Sequence, residues 1–149
     1  TACRVMGIPP VPENYREPEL RGRCELLRTE PPVIIDAAHN ADSARRLVEA
    51  VSRKYRKVAF TVVLGIVQGK DVAGVFRELS KLTDNFILTH PACTMKGSEL
   101  EKLVELARQN RVHFSVKEAI QTADDLPPDT PLIFTGSFFT ALLGEKLFQ

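Results

Sequence analysis

Val33-Ile34-Ile35-Asp36-Ala37-Ala38-His39-Asn40 is the stretch around which the chain is organised. An apolar run ends in an acid, two small residues let the backbone turn, and a helical pattern begins at once. That is how a buried parallel strand delivers polar groups to the carboxyl edge of a sheet, beside the positive end of the next helix. Asp36, His39 and Asn40 then share that edge with the helix's unpaired N–H groups, a place suited to a phosphate or a carboxylate. A plainer reading stands beside this one: Asp36 ends a strand and Asn40 caps a helix, work both residue types do well.

Outward from this stretch, Ala44, Leu47, Val48 and Val51 recur at helical spacing and predict a helix with one buried face. Val58 to Leu64 is a continuous rather than alternating apolar run, as expected of a strand covered on both faces. It stops at Gly65. Gly69-Lys70-Asp71 opens a second helix with an inward stripe of Val72, Val75, Phe76, Leu79 and Leu82. Phe86-Ile87-Leu88-Thr89 reads as a third buried strand ending at His90-Pro91. Ser98-Glu99-Leu100-Glu101 has capping-box spacing ahead of a helix with Leu100, Leu103, Leu106 and Ala107. Val112 to Ser115 reads as a short strand, and Ser115 to Glu118 repeats the capping-box spacing before a short helix. Asp124 to Pro131 is a turn-rich loop, and Pro131 to Thr135 is the last strand. Gly136-Ser137 turns directly into a helix carrying Phe138, Ala141 and Leu142.

On the other side, Cys24 to Leu27 is a short strand candidate closed by Pro31-Pro32, and residues 1–20 hold Pro9, Pro10, Pro12 and Pro18 with little apolar periodicity. They read as an arm or linker, with one domain over 21–149. An opening on a linker, at Thr1 rather than a methionine, suggests a domain excised from a longer chain. The alternation of strand and helix predicts an α/β fold: a mostly parallel, Rossmann-like sheet of about five or six strands with helices on both faces. One short edge strand is expected to be antiparallel.

The chain has 149 residues, enough for one domain that buries roughly two-thirds of its unfolded surface. A net charge of +1 gathers neither nucleic acid nor anionic lipid. The basic pairs Arg45-Arg46, Arg53-Lys54 and Arg56-Lys57 lack interleaved aromatic residues and read as solvated helix faces. No run has the length of a membrane span, and no signal peptide is evident. Cys3, Cys24 and Cys93 are odd in number and far apart, as reduced thiols of a cytoplasmic protein would be. His39, His90 and His113 form no ligand-spaced set, so no metal site is expected on this chain.

In a parallel sheet the carboxyl ends of all strands share one edge. Asp36 to Asn40, Gly65 to Asp71, His90 and Thr135-Gly136-Ser137 should therefore converge. Lys70 adds a movable positive charge there, and Arg23 a bidentate donor within reach of a phosphate. Gly65-Ile66-Val67-Gln68-Gly69-Lys70-Asp71 is not a Walker A loop, which needs four residues between its glycines and a hydroxyl after its lysine. No Gly-x-Gly-x-x-Gly supports dinucleotide binding. Ser137 lacks a nucleophile elbow, since Phe138-Phe139 follow it. His39 is a candidate general base, a ligand contact, or a structural residue at a helix start.

These residues resemble the C-terminal domain of the Mur ligase superfamily, within it the folylpolyglutamate synthase / dihydrofolate synthase branch. Asp36-Ala37-Ala38-His39-Asn40-Ala41 is similar to that family's Asp-Gly-Ala-His-Asn-Pro, with the three polar positions kept. Alanine at 37 fits unless the turn needs positive φ there. Gly22-Arg23-Cys24-Glu25 resembles Pro-Gly-Arg-x-Glu, with Arg21 in place of the proline. Gly65 to Asp71 resembles Gly-x-x-x-Asp-Lys-Asp, and Thr135-Gly136-Ser137 matches Thr-Gly-Ser before the last helix.

The resemblance implies part of an ATP-dependent amide ligase that activates a carboxylate as an acyl phosphate, which the amine of L-glutamate attacks to extend folate or dihydropteroate. By position, Arg23, Asp36, His39 and Asn40 would bind ATP, and Ser137, His39 and Lys70 the glutamate, with His39 the catalytic candidate. Family members keep the P-loop and the Mg2+ ligands in a preceding central domain. This chain has neither, so it would supply one wall of the site and be inactive alone. Two other readings fit the same residues: a free-standing module binding a nucleotide or acidic metabolite, and the C-terminal domain of another Mur-type amino-acid ligase.

Overall fold

Strands that are apolar at every position require cover on both faces, and the computed structural model, which describes residues 22–92 and 95–149, supplies it. The arm expected over residues 1–20, with Cys3, lies outside the described residues, as does Cys93. Among the described residues six strands form one sheet: β1 (Glu25–Thr29), β2 (Pro32–Ile35), β3 (Thr61–Leu64), β4 (Asn85–Thr89), β5 (His113–Lys117) and β6 (Leu132–Thr135). Their order across the sheet is β1-β2-β6-β3-β4-β5. The edge strand β1 pairs antiparallel with β2, and the other neighbours are parallel. The fold is thus α/β with the expected antiparallel edge.

The helices are α1 (Ala41–Lys54), α2 (Val72–Leu79), α3 (Leu100–Gln109) and α4 (Phe138–Phe148). Alternate strand residues serve two cores. Ile34, Val62, Leu64, Phe86, Leu88 and Ile133 meet α1, α2 and α3 on one face. Val33, Ile35, Val63, Ile87, Leu132 and Phe134 meet Ala141 of α4, with Ile120 and Leu126, on the other. The helical stripe of α1 is buried as expected at Ala44, Leu47, Val48 and Val51. On α4, Ala141 is buried, whereas Phe138 and Leu142 are exposed. Among the described residues no helix is long and apolar enough to cross a membrane.

Three local expectations change. The β3 ladder begins at Thr61, with Val58 to Phe60 in the connection before it. The capping box over Ser98 to Glu101 does not form. Glu99 is the N-cap residue of α3 without a side-chain cap bond, because its carboxylate is engaged elsewhere. No helix follows Ser115, which pairs in register with Ile87 inside β5. The helical turn lies later, at Ala123–Asp125, where Thr122 and Asp125 form the capping box. In both misplacements strand pairing or a distant donor outcompetes a local side-chain bond.

Gly65 and Gly136 allow the centre of the sheet to close at its carboxyl end. A Cβ on Gly65 would stand 2.6 Å from Thr140 Oγ1. Gly136 has φ +100°, and its Cβ would stand 2.7 Å from the Gly65 carbonyl oxygen. By contrast Gly69, with φ +86°, has nothing within 4 Å of a Cβ. Gly69→Ala is therefore expected to cost about 1 kcal/mol from backbone strain alone, and Gly136→Ala about 2–3 kcal/mol, since strain and steric displacement add. Urea denaturation checks both. Equal losses would mean that the β3–β6 approach does not constrain position 136.

Candidate functional site at the carboxyl edge of the sheet

Neighbouring strands β2 and β6 send their chains to opposite faces, β2 into α1 and β6 into α4. Such a parting opens a crevice at the carboxyl ends of the two strands, the usual ligand position in open α/β sheets. The ladder is prolonged there by Asp36 N–H donating to Phe134 O at 3.0 Å and Gly65 N–H to Thr135 O at 3.2 Å.

Asp36 is buried and both its carboxylate oxygens accept backbone N–H bonds. Oδ2 takes Cys24 N–H at 2.8 Å and Oδ1 takes Ala38 N–H at 2.7 Å. Cys24, the donor in the first of these bonds, sits at φ +47°, uncommon for a residue with a Cβ. Ala37 N–H donates to Gly22 O at 2.7 Å, and Gly22 N–H to Glu25 Oε2 at 2.9 Å. The turn bearing exposed Arg23 is thus tied to the β2–α1 loop. Burial pushes the Asp36 carboxyl above its ordinary value, outweighing the two N–H bonds and the Arg23 charge. Burial, then the Asp36 charge, likewise raises the Cys24 thiol. Ala37 is not among the residues with positive φ, so alanine meets no strain there.

His39 is exposed, with Nδ1 at 3.0 Å from Ala37 O. A carbonyl can only accept, so Nδ1 carries the proton and Nε2 is left as the acceptor. Asn40 caps α1 through Oδ1, which accepts Ser43 N–H at 2.8 Å, and Asn40 N–H donates to Ser43 Oγ at 3.2 Å. The capping role considered for Asn40 is therefore real. Within the first turn Asp42 pairs with Arg45 and Arg46, and the Arg45 hydrogen bond holds its carboxyl below the usual range.

In the Thr135-Gly136-Ser137 segment all three residues are buried. Ser137 Oγ accepts Thr140 N–H at 3.0 Å and lies 2.9 Å from Thr140 Oγ1, which donates to Gly65 O. Ser137 is therefore the N-cap of α4. Thr135 Oγ1 is buried without a hydrogen-bond partner. Lys70 is exposed in the β3–α2 loop, before Asp71, whose Oδ1 accepts Gly74 N–H at 3.0 Å and caps α2.

Arg23, Asp36, His39 and Asn40 line one cleft of about 660 Å³, together with Arg46 and Phe138. Ser137 adjoins it in sequence through Phe138 but does not line it, and Lys70 lies apart from it. Sequence reasoning missed Ser43, Thr140 and Glu99. The Asn40-to-Ser43 spacing was a readable capping signal, whereas Thr140 and Glu99 act on residues far away in sequence. Glu99 Oε1 accepts Gly69 N–H at 2.8 Å, which with Lys102 holds its carboxyl below the usual range. Among the described residues no three His, Cys, Asp or Glu side chains gather in a metal-binding group.

A family model described as Mur ligase, glutamate ligase domain matches residues 22–138. The dihydrofolate synthase/folylpolyglutamate synthase of Mycobacterium tuberculosis is 28% identical over 147 residues, covering 85% of this chain and 30% of that protein. A solved Mycobacterium tuberculosis folylpolyglutamate synthase complexed with ADP and AMPPCP has a TM-score of 0.72 at 26% identity, covering 91% of this chain and 33% of that one. A bifunctional folylpolyglutamate synthase/dihydrofolate synthase with Mn, AMPPNP and L-glutamate bound has a TM-score of 0.68 at 26% identity, covering 83% and 30%. The chain thus spans about a third of the length of the relatives it matches.

The raised carboxyl of Asp36 has a consequence for stability. A group whose pKa is raised by folding favours the fold below its unfolded value, and that contribution is lost as pH climbs through the folded value. Relative to Asp36→Asn, which does not titrate, the native chain is expected to lose stability from about pH 4 upward. Urea midpoints of both proteins across the acid range test the sign. A native advantage that grows with pH would show that the N–H bonds outweigh burial.

Proposed function

The chain belongs to the Mur ligase family of glutamate ligase domains. From that premise we propose that residues 21–149 are the C-terminal domain of an ATP-dependent folate:glutamate amide ligase, with residues 1–20 a linker from the rest of the enzyme. The observation that carries the site assignment is the meeting of Arg23, Asp36, His39 and Asn40 in one cleft where β2 and β6 part. ATP there supplies a phosphoryl group that turns a carboxylate of folate or dihydropteroate into an acyl phosphate open to attack by the amine of L-glutamate.

The residues divide the work by what their atoms still have free. Arg23 is exposed on a clamped turn and offers a planar fork of donors to a phosphate. Each Asp36 oxygen accepts one N–H and keeps a lone pair for a ribose hydroxyl. His39, with Nδ1–H turned to Ala37 O, presents Nε2 to take a proton from the incoming amine or, when protonated, to donate to a phosphate. Asn40 contributes mainly by fixing the start of α1, whose N-terminal dipole favours the same anions. Ser137 acts through the α4 terminus that its hydroxyl caps, and Lys70 meets the carboxylate of glutamate from the β3–α2 loop.

In this reading Mg2+ and the P-loop belong to a preceding domain of the same parent protein, and that protein is cytoplasmic. Support comes from the relatives' threefold greater length and from the neighbours solved with nucleotide. In the full-length ligase, His39→Ala is expected to lower kcat about a hundredfold or more, as loss of a general acid–base group does, with the thermal midpoint unchanged because the side chain is exposed. Residues 1–149 alone should release no ADP with glutamate and a folate acceptor. ADP and amide product from that fragment, or full turnover by His39→Ala, would overturn the assignment.

A further inference from the structure

The loop carrying Lys70 has little packing of its own. Gln68, Gly69, Lys70 and Asp71 are all exposed, between buried Val67 and Val72. Gly69 sits at φ +86° with open space where a Cβ would stand, and the loop is held by hydrogen bonds. Those bonds come from the segment just before α3. Gln68 N–H donates to Gly97 O at 2.8 Å, Glu99 N–H donates to Ile66 O at 3.0 Å, and Val67 bridges antiparallel to Ser98. Glu99 adds the side-chain bond, Oε1 accepting Gly69 N–H at 2.8 Å across thirty residues of sequence. Among the described residues it is the side chain that reaches the backbone of Gln68 to Asp71 from outside, as Thr140 does at Gly65.

Glu99 is the N-cap residue of α3, yet its carboxylate makes no bond to that helix's own N–H groups, and the Leu100 N–H is taken by Ser98 Oγ at 3.2 Å. Glu99 is instead buried, with Oε2 paired to Lys102 Nζ at 3.0 Å. We infer that Glu99 is a positioning residue, its bond to Gly69 holding the β3–α2 loop where Lys70 meets an acidic substrate at the sheet edge. This rests on the ligase reading, in which that substrate is the amino acid being added.

A merely structural role makes a different forecast, because a negative charge at the start of α3, paired with Lys102, stabilises the helix wherever its oxygens lie. Two substitutions in the full-length ligase separate reach from charge. Glu99→Gln keeps an oxygen within reach of Gly69 N–H and discards the charge. Glu99→Asp keeps the charge and, one methylene shorter, loses the reach. Glu99→Asp is expected to raise the KM for glutamate about tenfold with kcat within about twofold, and Glu99→Gln to stay within about twofold in both, as loss of a ligand's positioning without loss of chemistry requires.

Lys70→Ala should raise the same KM, and adding Glu99→Asp to it should change nothing further, because the two act through one loop. Exchange of the Gly69 amide proton, measured with no substrate present, should be slow in the native and Gln proteins and fast in the Asp protein. A normal Asp variant beside an impaired Gln variant would overturn the inference in favour of charge, as would additive effects with Lys70→Ala. Lys70→Ala with an unchanged KM in an active ligase would overturn it and leave the ligase reading standing. A full-length native protein that forms no amide would remove the ligase reading, and the inference with it.

Discussion

The last strand of the chain lies between the first two parallel ones, and the site depends on that insertion. Because β6 pairs with both β2 and β3, Asp36, Gly65 and Gly136 are brought to adjacent positions at one edge. Because β6 leads into α4 on one face while β2 leads into α1 on the other, the edge parts into a crevice rather than closing over. The close fit is made possible by missing side chains: at Gly65 and Gly136 any Cβ would strike a neighbour. The insertion is also the longest-range pairing in the sheet, so closing it costs the chain entropy of a loop that contains most of the domain.

Around the crevice, most polar groups with a suggestive sequence pattern are already engaged with the backbone. Asp36 clamps the Arg23 turn, Asn40 and Ser137 cap helices, and Glu99 secures the loop of Lys70. This does not set a structural role against a functional one. A buried carboxylate that fixes a strained Cys24 also fixes the exposed guanidinium beside it, and a capped helix presents its remaining N–H groups in a fixed direction. Among the described residues Arg23, Lys70 and the Nε2 of His39 carry no hydrogen bond, and their chemistry is charge and proton transfer. They stand on segments held by neighbours that do not themselves react.

The legible part of the fold came from periodicity. Continuous apolar runs such as Val33 to Ile35 and Val62 to Leu64 are two-faced strands, and the stripe of Ala44, Leu47, Val48 and Val51 is a one-faced helix. Besides the start of β3, the readings that failed relied on short polar spacings. Ser98 to Glu101 and Ser115 to Glu118 each offer a plausible local hydrogen bond, and each loses to a partner that the sequence does not place nearby. Of the candidate site, the residues following β2 and the Arg23 turn were legible because neighbouring strands bring them together. Lys70 and Ser137 were legible as edge residues, yet neither lines the same cleft.

By itself, then, the sequence determined the α/β class, the parallel core with its antiparallel edge, and the polar residues gathered at the carboxyl ends of the strands. Those properties follow from side-chain pattern and from backbone geometry common to all such sheets. Only the tertiary structure decided that β6 sits between β2 and β3, that Asp36 is spent on Cys24 and Ala38, and that Glu99 reaches Gly69 rather than its own helix. Each is a contact between segments far apart in the chain, settled by which donor and acceptor are nearest once the core has packed.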